Sequence, residues 1–92
     1  MIVRIQGEGQ WELDQTQVAQ LDKIDNEMVE VVDANNTARF AALLAEMLDF
    51  VRKNGRKLAP DEIAASELIL PPADATLEEV RELFQDEGLI SV

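Results

Sequence analysis

Any chemistry this chain performs must come from charged side chains, one tryptophan and a few hydroxyls, because the sequence holds no histidine and no cysteine. The densest cluster of interaction-capable groups is Arg52, Lys53, Arg56 and Lys57, half of the 8 basic residues. The other half stands against 19 acidic residues spread along the chain. Arg52 and Lys53 fit the end of a helix, where a cation gains ~0.3–1 kcal/mol from the exposed carbonyl ends. Arg56 and Lys57 lie beyond the helix stop expected at Gly55 and are not needed for that purpose. They are read either as a solvated run of charge or as a contact patch for an acidic surface. Trp11 is read as a core residue on the inner face of a hairpin, with interface anchor, a favoured tryptophan role, as the other reading.

Other constellations fall to plainer explanations. Gly7-Glu8-Gly9 has the look of a phosphate loop, but such loops lead into a helix N-terminus whose amides hold the anion. Here the glycines lead into a strand pattern and Glu8 would repel phosphate, so a turn is expected. No metal site is expected either, since no spaced-oxygen calcium loop occurs. Asp22, Asp25 and Glu79 or Glu82 would need the fold to assemble them, and a solvated acidic helix face explains them. Ser66 and Ser91 have no histidine to activate them. Lys23, Lys53 and Lys57 lie among charges rather than in apolar pockets. Carboxylate pairs need contrasting environments before they work as acid and base. The expectation is a protein without catalytic residues and without a cofactor.

The elements that would position these groups are legible in the periodicity. Over residues 1–13, Val3 and Ile5 alternate with Ile2 and Arg4, and Trp11 and Leu13 alternate with Gln10 and Glu12, the period-two signature of half-buried strands. Gly7 and Gly9 supply the positive φ angles of a tight hairpin. Asp14 and Gln17 then form a capping box, with Leu13 and Val18 at the staple positions. Val18, Leu21, Ile24, Met28, Val31 and Val32 make an apolar helix stripe, and Asp22, Lys23, Asp25, Glu27 and Glu30 are assigned to its polar face. Asn36 or Thr37 caps a second helix whose stripe is Phe40, Leu43, Leu44, Met47, Leu48 and Val51, ending at Gly55. So short a connection folds two helices back as an antiparallel hairpin.

Past Gly55 the signal weakens. Residues 54–66 read as a flexible connection, in which Pro60, Asp61 and Glu62 suit a short helical turn. Leu68-Ile69-Leu70 is a short third strand of an antiparallel sheet, placed at its edge because Pro71 and Pro72 cannot extend a ladder. Thr76 and Glu79 form a second capping box before a helix carrying Leu77, Val80, Leu83 and Phe84. Gly88 is the expected stop, with Leu89 closing on Phe84.

Composition bounds the rest. Ninety-two residues suit a single domain over 1–92, one that buries only about 60–65% of its unfolded surface and so has a thin core. Apolar content of 47% with ordered periodicity argues for folding despite a net charge of −11, since acidic disordered chains lack that density of aliphatics. The longest apolar stretch, Phe40 to Val51, is broken by Glu46 and Asp49 and falls short of the ~20 residues of a membrane span. No signal-peptide pattern is seen, and a cytoplasmic location is expected. The negative balance opposes phosphate backbones and anionic lipids, so no nucleic-acid partner is expected and the membrane is reached only indirectly.

The ends of the chain carry a further pattern: the Met-Ile-Val-Arg-Ile start, the Gly7-Glu8-Gly9-Gln10 step and Trp11, then Leu70-Pro71-Pro72 and the Thr76–Val80 run leading to Gly88-Leu89-Ile90. In these the sequence resembles the PspA-associated family, small bacterial and archaeal proteins encoded beside phage-shock-protein A. Trp11 stands where that family often has tyrosine. The resemblance implies an accessory protein that binds phage-shock-protein A, a coiled-coil protein of the membrane-stress response, and it implies no catalytic or ligand residues. The expectation is an α+β domain: N-terminal β-hairpin, antiparallel helical hairpin, short third strand and C-terminal helix. The expected function is that of a non-enzymatic adaptor, docking through Arg52, Lys53, Arg56, Lys57 and Trp11. The alternatives are a self-assembling homo-oligomer without a heterologous partner, an acidic nucleic-acid mimic and, last, a small hydrolase.

Overall fold

The computed structural model describes residues 1–62 and 64–83. The expected stop at Gly88, the Phe84–Leu89 contact and Ser91 lie outside the described residues. In chain order the elements are β1 (Ile2–Ile5), β2 (Gly9–Glu12), α1 (Gln15–Asp33), α2 (Thr37–Asn54), β3 (Arg56–Lys57), β4 (Leu68–Leu70) and α3 (Leu77–Leu83). This is the mixed α+β architecture read from the sequence, with one strand more than expected.

The hairpin forms as its alternation predicts. β1 and β2 pair antiparallel with Val3 opposite Trp11 and Ile5 opposite Gly9, and Gly7 and Gly9 take φ of 83° and 140°. Those are conformations that side chains with a Cβ resist. Asp14 caps α1 in a full capping box: its carboxylate accepts from the Gln17 amide at 2.8 Å, and Gln17 Oε1 accepts from the Asp14 amide at 2.9 Å. Gln17 does a second job, donating from Nε2 to the Asn54 carbonyl at 2.7 Å. One side chain thus starts α1 and ties it to the end of α2. Asn36 caps α2 through the Arg39 amide at 3.1 Å, and Asn35 turns the chain with φ of 56°, a conformation asparagine tolerates. Arg81 of α3 closes the far end of α1, donating to the Val32 carbonyl at 3.0 Å and to Asn35 Oδ1 at 2.8 Å.

One core lies between the sheet and the helices. It joins Val3, Ile5, Trp11 and Leu13 from the hairpin with Leu21, Met28 and Val32 of α1, Leu43, Met47 and Val51 of α2, Leu70 of β4, and Leu77 and Val80 of α3. Asp25 departs from the sequence reading. It is fully buried instead of lying on the polar face. Its position explains this, because four residues after Leu21 and three before Met28 it falls in the middle of the apolar stripe. No buried side-chain nitrogen or oxygen among the described residues lacks a hydrogen-bond partner.

Two further corrections concern the segment after α2. Gly55 does end the helix, but at φ −80° and ψ 158°, an ordinary extended conformation. Its lack of a side chain serves packing: a Cβ there would stand 2.9 Å from Leu13 Cδ2 and from the Val51 carbonyl oxygen, and 3.0 Å from Trp11 Cβ. The described residues of 54–66 do not form a loose connection. Arg56 and Lys57 pair with Glu12 and Trp11 as β3, the Leu58 amide donates to the Gln10 carbonyl at 2.9 Å, and Leu58 is buried. A turn follows in which the Glu62 amide donates to the Ala59 carbonyl. Beyond it, Gln10 Nε2 donates to the Ala64 carbonyl and to Ser66 Oγ, both at 2.8 Å, pinning the chain to the sheet. β4 lies at an edge as expected, but it runs parallel to β1, with Val3 opposite Leu68 and Ile5 opposite Leu70. The sheet is therefore mixed, in the order β3-β2-β1-β4, rather than antiparallel throughout. The second capping box is present, with Thr76 and Glu79 exchanging bonds of 3.0 and 3.2 Å.

Candidate functional site

The basic cluster expected to dock a partner is divided by the fold. Arg52, in the last turn of α2, reaches the apex of the β-hairpin and holds Glu8 in a two-point pair at 2.8 and 2.5 Å. Its remaining nitrogen bonds Asp49 at 2.8 Å. Arg56 on β3 reaches Glu12 and Glu62, each at 3.4 Å. Both arginines are therefore already matched to carboxylates. The Arg52 guanidinium is held protonated above its ordinary range, first by the Glu8 hydrogen bond. The Glu8 carboxyl is held below its ordinary 4.5 by that same bond, burial opposing it and the charges of Arg52 and Lys57 adding to it. Glu62 is likewise lowered, first by the Ala59 amide and then by Arg56.

The two lysines differ from the arginines. Lys53 and Lys57 are exposed, and neither forms an ion pair among the described residues. Lys57 lies over the Trp11 ring, its Nζ 5.3 Å from the centroid, a cation–π contact. Trp11 itself is 4% exposed. Its indole belongs to the core under the lysine, so it presents no free anchor to solvent.

The fold adds a cation that the sequence reading did not connect with the cluster. Arg4 on β1 faces an open groove of about 600 Å³ shared with Lys57, Gln10, Glu8 and Glu62. Arg4 donates from Nε to Ser66 Oγ at 3.3 Å and has no carboxylate partner among the described residues. The signal for it was faint: a charged residue at the outward position of an otherwise aliphatic strand. Ser66 Oγ accepts from both Arg4 and Gln10, with no base set against it. Among the described residues no group of three or more carboxylates is arranged to hold a metal ion. No helix among them is long and apolar enough to cross a membrane.

Fold and surface together define a small mixed α+β domain of strongly acidic character, in which Arg39, Arg52 and Arg56 are paired with carboxylates while Arg4, Lys53 and Lys57 have no carboxylate partner among the described residues. The chain belongs to the PspA-associated protein family, whose profile matches residues 1–92, the whole chain. No curated protein and no solved structure gives a significant match to it.

Proposed function

We propose that this chain is a non-enzymatic accessory protein that binds phage-shock-protein A and modulates its membrane-stress role. The observation that carries this reading is the family match over the full 92 residues, a family described by its association with that partner. The surface is compatible with it: the described residues set no nucleophile against a base, and the exposed lysines and Arg4 offer complementary charge to an acidic partner. We place the protein in the cytoplasm, reaching the membrane only through its partner. A net charge of −11 opposes direct approach to anionic lipid and to nucleic acid.

Co-sedimentation of the full chain with phage-shock-protein A tests this directly. Association is expected at low salt and should weaken at moderate salt. No detectable association at either overturns the reading. A second reading, a self-assembling module, draws on β4, whose outer edge carries Ile69 at 50% exposure. Light scattering separates the two, since a stable homodimer indifferent to phage-shock-protein A would favour self-assembly.

A further inference from the structure

We propose that the outer edge of β4 takes up a short, basic, extended segment of a partner protein as a fifth strand of the sheet. This goes beyond the reading above, and its test does not use phage-shock-protein A, so the two stand or fall separately.

The two edges of the sheet differ. With the order β3-β2-β1-β4, one edge is β3, which consists of two exposed charged residues, Arg56 and Lys57. A short charged strand is a poor template for further pairing. The other edge is β4, Leu68–Leu70, which carries no charge. The Gln6 amide donates to the Leu70 carbonyl at 3.1 Å, and Arg4 stands opposite Ile69. Peptide groups alternate in direction along a strand, so the amide and carbonyl of Ile69 point away from β1. Neither has another backbone partner among the described residues. The Ile69 side chain is 50% exposed, and Met1 is the only other exposed large hydrophobic among the described residues. A free donor, a free acceptor and an open apolar side chain on one edge residue are what strand addition uses. Pro71, which has no amide hydrogen, limits the length of pairing, so the added strand is short.

Charge selects the occupant. From Ser66 to Glu82 the chain holds five carboxylates, Glu67, Asp74, Glu78, Glu79 and Glu82, against one cation, Arg81. All five are exposed, and none forms an ion pair among the described residues. Glu67 flanks the start of β4, its Oε1 accepting from the Ile2 amide at 3.3 Å. Past the other end, Pro71, Pro72 and Ala75 border a shallow cleft of about 260 Å³ together with Glu79 and Glu82 of α3. Apolar walls beside carboxylate-bearing residues suit the aliphatic stem and charged head of a lysine or arginine. Arg4, the cation beside Ile69, lies one strand further in and donates to Ser66. A second copy of the chain offers the same bare edge, but it brings the same carboxylates and a net charge of −11, which repels its like. A basic segment is attracted where a second copy is repelled.

The test uses the full chain, labelled with nitrogen-15, and three blocked pentapeptides. These are Lys-Thr-Ile-Thr-Lys, its Glu-Thr-Ile-Thr-Glu counterpart, and the lysine form N-methylated at the central isoleucine. The lysine peptide should slow hydrogen exchange of the Ile69 amide and leave that of Leu70, already turned toward β1, unchanged. N-methylation should weaken binding about fivefold, the scale of one lost backbone hydrogen bond, and the glutamate peptide should not bind. Ile69→Pro removes the outward amide at an edge position that tolerates proline. It should weaken binding to a similar extent, with circular dichroism establishing that the variant is folded. Should it not fold, the N-methylated peptide makes the same comparison on the wild-type chain. Equal binding of the N-methylated and parent peptides, or an Ile69 amide that the lysine peptide leaves unprotected, would overturn the strand addition. Equal binding of the lysine and glutamate peptides would overturn the basic occupant. Slowing of Ile69 exchange with rising protein concentration, in the absence of peptide, would place a second copy on the edge and overturn the proposal.

Discussion

Glu8 occupies the apex of the hairpin turn, between two glycines, where the local sequence offers no partner for its charge. The partner comes from 44 residues away as Arg52. Because the bond to Arg52 lowers the Glu8 carboxyl from 4.5, the contact contributes stability that is fully present above the unfolded value. That contribution is lost as pH falls through the lowered folded value. In a side-chain carboxyl titration by carbon-13 NMR, Glu8 is expected to titrate below 4.5, and Arg52→Gln should move it upward toward that value. A Glu8 that titrates at the ordinary value in the wild-type chain would show that the pair does not persist in solution. The same residue scale shows why two sequence readings needed correction. Gly55 was legible as a helix stop, yet the reason for glycine, the approach of Leu13 and Trp11, belongs to packing across the fold. Asp25 was assigned by its charge rather than by its place in the stripe.

Gln17 brings two elements together, and its geometry makes a prediction that helix rules alone would get wrong. Glutamate is a favoured residue at the third position of a capping box, so Gln17→Glu should be neutral or stabilising if only α1 mattered. The Gln17 Nε2 donor, however, meets the Asn54 carbonyl at 2.7 Å. A carboxylate there would face a carbonyl oxygen at the negative end of α2. Gln17→Glu is expected to lower the stability measured by urea unfolding by about 1 kcal/mol, the scale of one lost hydrogen bond. An unchanged or raised midpoint would mean that the α1–α2 tie is not formed. The hairpin, both long helices and both capping boxes were legible because their signals are local: period-two alternation, 3.6-residue stripes and paired cap residues. β3 was not, because Arg56 and Lys57 are two exposed charged residues with no strand pattern, recruited by the free edge of β2. Nor was the parallel pairing of β4 with β1, which depends on contacts more than 60 residues apart. The Lys57–Trp11 contact inherits that difficulty, since it exists only once β3 has paired with β2.

At the scale of the whole molecule, two electrostatic effects act in opposite directions, and salt separates them. A net charge of −11 over 92 residues works against the compact state through self-repulsion. The internal pairs do little to offset it. The side chains of Arg39 and Glu27, and of Arg56 with Glu12 and Glu62, are all more than 40% exposed, and such surface pairs contribute about 0–1 kcal/mol each. Raising ionic strength from roughly 0.02 to 0.3 M shortens the screening length from about 20 Å to about 6 Å. That removes repulsion among acidic groups spread over the surface, while close contacts such as Arg52–Glu8 are screened least. The free chain should therefore become more stable with salt, its Tm rising on the order of 4 °C, which corresponds to about 1 kcal/mol for a chain of this size. Partner binding through exposed cations should weaken over the same range. Scanning calorimetry and titration calorimetry on one salt series would read both. A Tm that falls with salt would mean that the ion pairs outweigh the self-repulsion. In that case Arg52, with two carboxylates in its grasp, becomes the first residue to neutralise in search of the cause.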